Sequence, residues 1–103
     1  MYRGTTPSFN FIFPNKVPVN QFSDVFVTFS QEGCTVFEFD KHSLEISEED
    51  NSVKVTLTQE HTLKLNDRYT VRIQLRVKTW DGTALASSIF SREVRQILKD
   101  GEI

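Results

Sequence analysis

The longest regular pattern in the chain runs from Arg68 to Thr79, where Tyr69, Val71, Ile73, Leu75 and Val77 alternate with Thr70, Arg72, Gln74, Arg76 and Lys78. A period of two, with charge on one parity only, predicts a β-strand with one face in the core and one in water. Trp80-Asp81-Gly82 then turns the chain into a second β-prone run. The C-terminal third therefore reads as a long antiparallel hairpin and not as a βαβ unit.

Shorter runs repeat the alternation upstream. Phe9, Phe11 and Phe13 alternate with Ser8, Asn10 and Ile12, and Pro14 closes the run, as expected of a first strand near a sheet edge. After a loop from Pro14 to Ser23, Asp24 to Gln31 sets Val25, Val27 and Phe29 on one face and Phe26, Thr28 and Ser30 on the other. Glu32-Gly33 turns this strand into a third, Cys34 to Asp40, which carries Phe37 and Phe39. Leu44 and Ile46 mark a short strand, the acidic turn Glu48-Glu49-Asp50-Asn51 ends it, and Val53, Val55 and Leu57 begin the next. Thr58 to Leu65 has helical character but room for only a single turn, capped by Thr58, crossing between sheets. Towards the end Leu85 and Ile89 share one parity and Val94 has the other, which signals a bulge or a change from strand to helix. Val94, Ile97 and Leu98 also fit helical spacing with Gly101 as a stop; we read the segment as strand.

About seven strands with turn signals every 8–12 residues or so predict an all-β protein, an antiparallel Ig-like or fibronectin-type β-sandwich without a disulfide. It forms a single domain over residues 1–103, with residues 1–7 as a flexible N-terminal arm. Leu65-Asn66-Asp67-Arg68-Tyr69 resembles the tyrosine corner of such domains, which implies a Tyr69 ring packed inward with its hydroxyl bonded to upstream backbone. An antibody-type domain is set aside, because the inter-sheet cysteine pair and the tryptophan of the third strand are both missing.

Composition agrees with a small folded domain. The hydrophobic fraction is only 38%, but nine Phe residues supply large burial per side chain. With 12 basic and 14 acidic residues the net charge is −2, so no global field draws nucleic acid or an anionic membrane. Cys34 is the only cysteine, which excludes an intramolecular disulfide, favours a reducing compartment, and suggests a small buried hydrophobe at a strand start. Met1 to Pro7 holds no apolar run of signal-peptide length, so a complete small reading frame, made and initially located in the cytoplasm, is expected.

No stretch carries a catalytic, cofactor or metal motif. His42 and His61 lack zinc spacing, and Asp40 with His42 and Glu60 with His61 read as solvated turn residues. Gly4, Gly33, Gly82 and Gly101 are scattered turn punctuation and form no phosphate loop. The cluster Glu45, Glu48, Glu49 and Asp50 lacks the ligand spacing of a calcium loop. No enzyme and no cofactor is expected.

What remains is contact chemistry. Arg68, Arg72, Arg76 and Lys78 form a basic stripe on one strand face. Its ordinary reading is a solubilised sheet face whose charges pair with Glu or Asp across the strand; its functional reading is a dock for an acidic partner surface or a nucleic acid backbone. Aromatic interleaving of the kind that favours nucleic acid is not expected on that face. Trp80, at a hairpin tip, is either folded over the sandwich end or exposed as an anchor. Arg3, in the N-terminal arm, completes the candidate partner contacts Trp80, Arg72, Arg76, Lys78 and Arg3.

Along nearly its full length the chain resembles small proteins of phages and prophages of Gram-positive bacteria encoded among virion structural genes. The resemblance lies in Arg3-Gly4-Thr5-Thr6-Pro7, in Val55-Thr56-Leu57-Thr58-Gln59-Glu60 followed by Thr62-Leu63, and in Val71-Arg72-Ile73-Gln74-Leu75-Arg76-Val77. It continues in Asp81-Gly82 followed by Ala86-Ser87 and in Ile97-Leu98-Lys99-Asp100-Gly101, while His61 stands where a second acidic residue is expected. The resemblance implies a non-enzymatic sandwich that is incorporated into a particle, in a tail or baseplate role, through protein partners that include other virion proteins or itself. A carbohydrate- or host-surface-binding module is the alternative, with Trp80 and the Phe-rich second hairpin as a stacking platform.

Overall fold

A computed structural model describes residues 1–103 and shows an antiparallel β-sandwich of eight strands in two sheets. One sheet has the order β1-β5-β4, from Ser8–Ile12 (β1), Ser52–Thr56 (β5) and Glu45–Ser47 (β4). The other has the order β3-β2-β6, from Cys34–Phe39 (β3), Phe22–Gln31 (β2) and Val71–Thr79 (β6), with Ala84–Ala86 (β7) and Phe90–Arg92 (β8) both paired to the far side of β6. The single helical turn α1, Gln59–Leu63, crosses from β5 to β6.

The core forms where the inward parities of the two sheets meet. Val25, Val27 and Phe29 of β2, Val71, Ile73, Leu75 and Val77 of β6, and Val53 and Val55 of β5 are all buried. Fully burying such a side chain is worth about 1.5–3 kcal/mol, and Phe29 gains edge-on contacts besides, with ring centroids 5.7 Å from Phe9 and 5.9 Å from Phe39. Phe22 is buried on the opposite parity to Val25 because the register shifts between Phe22 and Asp24. The Ser23 hydroxyl in that bulge donates to the Lys78 carbonyl at 3.1 Å.

The strand count exceeds the expected seven because the last strand is split. Between β7 and β8 the register on β6 slips by one residue, a bulge between Ala86 and Phe90 that falls earlier than the expected one between Ile89 and Val94. Ser87 holds the break: its N–H donates to the Leu75 carbonyl at 2.9 Å, and its hydroxyl accepts from the Leu75 N–H at 3.0 Å. No helix forms over Val94 to Leu98; Val94 is buried and Leu98 is fully exposed.

The turns follow from local chemistry. Glu32 and Gly33 both have positive φ, 54° and 75°, the pairing that a two-residue hairpin loop requires. Thr58 caps α1 by accepting from the His61 N–H at 3.2 Å, while His61 Nδ1 accepts from the Thr58 N–H at 3.1 Å. His61 thus performs the reciprocal half of a capping box, the work an acidic or amide residue usually does at that position.

Residues 1–7 do not project as an arm. Tyr2 forms a parallel bridge with Arg95, Arg3 N–H donates to Arg95 O at 3.0 Å, and Arg95 N–H donates to Met1 O at 2.8 Å. Cys34 is also not the expected buried hydrophobe; it is exposed, directly after the hairpin turn.

Candidate interaction surface

The outer face of the five-stranded sheet gathers most of the candidate residues. On β6 the even positions Arg72, Arg76 and Lys78 point outward and are exposed, and Trp80 continues the same parity just past the strand end. Across the ladder Ser30 lies opposite Arg72, Thr28 opposite Gln74, Phe26 opposite Arg76 and Asp24 opposite Lys78. Phe26 is 40% exposed and Trp80 70% exposed, so two aromatic rings share the face with the basic stripe. That corrects the expectation of a face without aromatics. Parity had assigned Phe26 to this side with Thr28 and Ser30, and its importance is visible only when Arg76 is seen beside it.

The expected pairing of the stripe with acidic residues across the strand is absent too. The two ion pairs of the protein are Arg3–Asp100 at 3.7 Å and Arg95–Glu93 at 2.9 Å, so Arg68, Arg72, Arg76 and Lys78 make no ion pair. Asp24, opposite Lys78 in register, instead accepts from the Ser23 hydroxyl at 3.3 Å.

Trp80 is presented by a stiff turn. Its N–H donates to Gln21 O at 3.0 Å, which ties the tip to the start of β2. Asp81 Oδ1 accepts from the Thr79 hydroxyl and from the Thr83 N–H, and these bonds hold the Asp81 carboxyl below the usual range. Gly82 closes the turn at φ 92°, a conformation that suits glycine. The Lys41 ammonium sits 5.5 Å from the Trp80 ring centroid and is itself anchored, donating to Phe22 O at 3.0 Å. Between the indole and the 3-10 turn Lys41–Ser43 lies an open groove of about 570 Å³ lined by Phe26, Leu44, Asp24, Asp40 and His42.

Arg3 does not join this face. Its guanidinium donates to Leu63 O and Leu65 O, both at 3.0 Å, satisfying carbonyls at and just past the end of α1. A fork already committed to two carbonyls acts as a structural clasp. Arg68 lies apart as well, beyond the start of β6, beside an open polar hollow with Tyr69 and Arg95.

The tyrosine corner is not formed. Tyr69 is 41% exposed and its hydroxyl makes no hydrogen bond. The corner is held instead by Gln31, 7% exposed, whose Nε2 donates to Asn66 O at 2.8 Å and Tyr69 O at 3.0 Å while its Oε1 accepts from Asn66 N–H at 2.9 Å. Asn51 does similar work on the loop before β2: its amide donates to Phe13 O, Pro14 O and Val17 O, and its carbonyl oxygen accepts from Val19 N–H at 2.9 Å. His61 is likewise no solvated turn residue. It packs 5.2 Å from Phe37 and 4.9 Å from Phe39, and burial first, then Lys64, pushes its pKa down.

No group of three or more His, Cys, Asp or Glu side chains gathers as a metal-ligand set, and no helix is long and apolar enough to cross a membrane. No protein-family model matches the chain, and no curated protein matches it.

Proposed function

We propose that this chain is a non-enzymatic structural or assembly protein of a phage or prophage particle, a tail or baseplate component that docks a protein partner through the outer face of its five-stranded sheet. The observation that carries the reading is the company Trp80 keeps. An exposed, rigidly presented indole shares one face with Phe26 and with Arg72, Arg76 and Lys78, which make no ion pair. Tryptophan and arginine are the residues that dominate binding energy at protein interfaces, and unpaired cations select an acidic partner and steer its approach.

The strand order supports an Ig-like reading of the sandwich. β1, β5 and β4 stand where strands B, E and D stand in an immunoglobulin-type domain, and β3, β2, β6 and β7/β8 where C′, C, F and G stand. The full-length resemblance to phage proteins supplies the setting: synthesis in the cytoplasm, then incorporation into a particle. The test is to assemble particles with Trp80→Ala and with Arg76→Glu. Both variants keep the thermal midpoint of the parent protein, and both are lost from purified particles; normal incorporation of both removes this face from the assembly.

The groove beside Trp80 favours one second reading. An indole next to the carboxylates of Asp24 and Asp40 is the pairing of stacking surface and hydrogen-bond acceptors that a carbohydrate-binding module uses. Glycan-array binding that is lost in Trp80→Ala supports it, and an array without hits disposes of it.

A further inference from the structure

The first strand presents a regular, unprotected edge. Leu57 N–H donates to Pro7 O and Phe13 N–H donates to Asn51 O, both at 2.9 Å. In the register Ser8↔Thr56 to Ile12↔Ser52, the hydrogen-bonded pairs are therefore Phe9↔Val55 and Phe11↔Val53. The N–H and C=O groups of Ser8, Asn10 and Ile12 consequently point away from β5. β1 is the end strand of its sheet, and no backbone group of these three residues bonds outside the β1–β5 ladder.

Edges of this kind are normally blunted by shortness, bulges, proline or charge. The other edges of the molecule are. β4, β7 and β8 have three residues each, and β3 is interrupted by a register shift opposite Phe29 and Ser30. β1 has five residues in unbroken register, and the sequence Ser-Phe-Asn-Phe-Ile contains no charge and no proline. Ile12 is 74% exposed on its outer face. On the inner side Phe9, Phe11 and Phe90 are only partly buried, and the Phe90 ring lies 6.5 Å from Phe9 and 5.7 Å from Phe11 across the mouth between the sheets.

We propose that the free edge of β1 accepts an extended segment of a partner protein as an added strand. The segment has apolar residues at alternate positions, which cover Phe9, Phe11 and Phe90, and polar residues between them, beside Ser8 and Asn10. A five-residue pairing is too small to hold two folded domains together unaided, since a self-standing interface needs about 1,000 Å². The occupant is therefore a strand or tail of a partner held elsewhere as well, not a second copy of this chain. The proposal rests on the association reading above but uses a different surface, so the two fail separately.

The test uses the whole chain and a capped peptide of alternating Val and Thr as the probe. NMR titration is expected to shift the amide signals of Ser8, Asn10 and Ile12, and to slow their hydrogen exchange tenfold or more at saturating peptide. Ile12→Lys, which charges the edge without touching the β5 ladder, removes the effect at an unchanged thermal midpoint, and Trp80→Ala leaves it intact. Absence of shifts at these amides, or shifts confined to the Trp80 face, overturns the proposal. A concentration-dependent dimer that Ile12→Lys abolishes overturns the choice of occupant in favour of a second copy.

Discussion

Replacing Gln31 by alanine tests which residue holds the corner between α1 and β6. The side chain makes three hydrogen bonds to backbone, at 2.8, 3.0 and 2.9 Å, and is nearly buried. Each is worth about 1 kcal/mol net, and more where the stranded partner stays dry. Asn66 and Tyr69 are exposed residues, so water replaces part of what is lost. The expected destabilisation is about 2–3 kcal/mol, a fall of roughly 10–20 °C in the midpoint of a domain this size. Urea denaturation followed by circular dichroism reads the first figure, and calorimetry reads the second. Gln31→Glu sharpens the test, because it keeps the acceptor for Asn66 N–H but turns a carboxylate oxygen towards the carbonyls of Asn66 and Tyr69. That arrangement raises the glutamate's folded pKa, so its penalty is full near neutral pH and relieved as pH falls through that pKa. Tyr69→Phe is the control: the hydroxyl bonds nothing, and the change is expected to stay within about 0.5 kcal/mol. If Gln31→Ala is neutral and Tyr69→Phe is not, the corner is built the other way and the reasoning fails.

Two further outcomes follow from local geometry. His61 has a folded pKa pushed below its ordinary 6.5, so the unfolded chain binds the proton more readily. Its stabilising contribution is present above that value and is lost as pH falls below it, since protonating Nδ1 breaks the bond from Thr58 N–H; thermal midpoints between pH 7.5 and 5 should show the decline, and His61→Gln, a capping residue without charge, should flatten it. Gly4 has φ +72°, and a Cβ there would lie 2.8 Å from Ile97 Cδ1, so Gly4→Ala is expected to cost about 1 kcal/mol or more in urea unfolding; a neutral result would mean that the Met1–Arg3 segment is not seated as described.

Much of the fold could be read from alternation alone. Period two placed β2, β3, β5 and β6 within a residue or three of their observed bounds, and the change of parity between Ile89 and Val94 pointed to a bulge in the last strand, which lies a few residues earlier, between Ala86 and Phe90. The same parity put Arg72, Arg76 and Lys78 on one face, but it also counted Arg68, which precedes β6, and it left Trp80 open between a folded-back and an exposed position. What alternation could not supply were contacts that depend on where distant loops come to rest. Gln31 bonds residues 35 and 38 positions away, and Arg3 reaches carbonyls 60 and 62 positions away. Gln31 continues the inward parity of Val25, Val27 and Phe29, so its burial was legible although its partners were not, while nothing in the local pattern sets Arg3 apart from an ordinary surface residue. The tyrosine corner failed for the same reason: the spacing was present, but another side chain had taken the backbone groups. Cys34 is exposed at the start of β3, the end strand of its sheet, although Gln31, its partner across the Glu32-Gly33 turn, is buried.

The parallel contact between Tyr2 and Arg95 has a mechanical consequence. Tension applied between residue 1 and residue 103 pulls these two parallel segments in opposite directions along their own axes. The bonds joining Met1 and Arg3 to Arg95, and the Arg3 fork on Leu63 and Leu65, then carry the load side by side and must yield together instead of opening one at a time like a zip. In a domain strung in line with a pulled neighbour the bonds between Gln59 and Ile103 would peel away first, and this short seam would then take the load before the sandwich did.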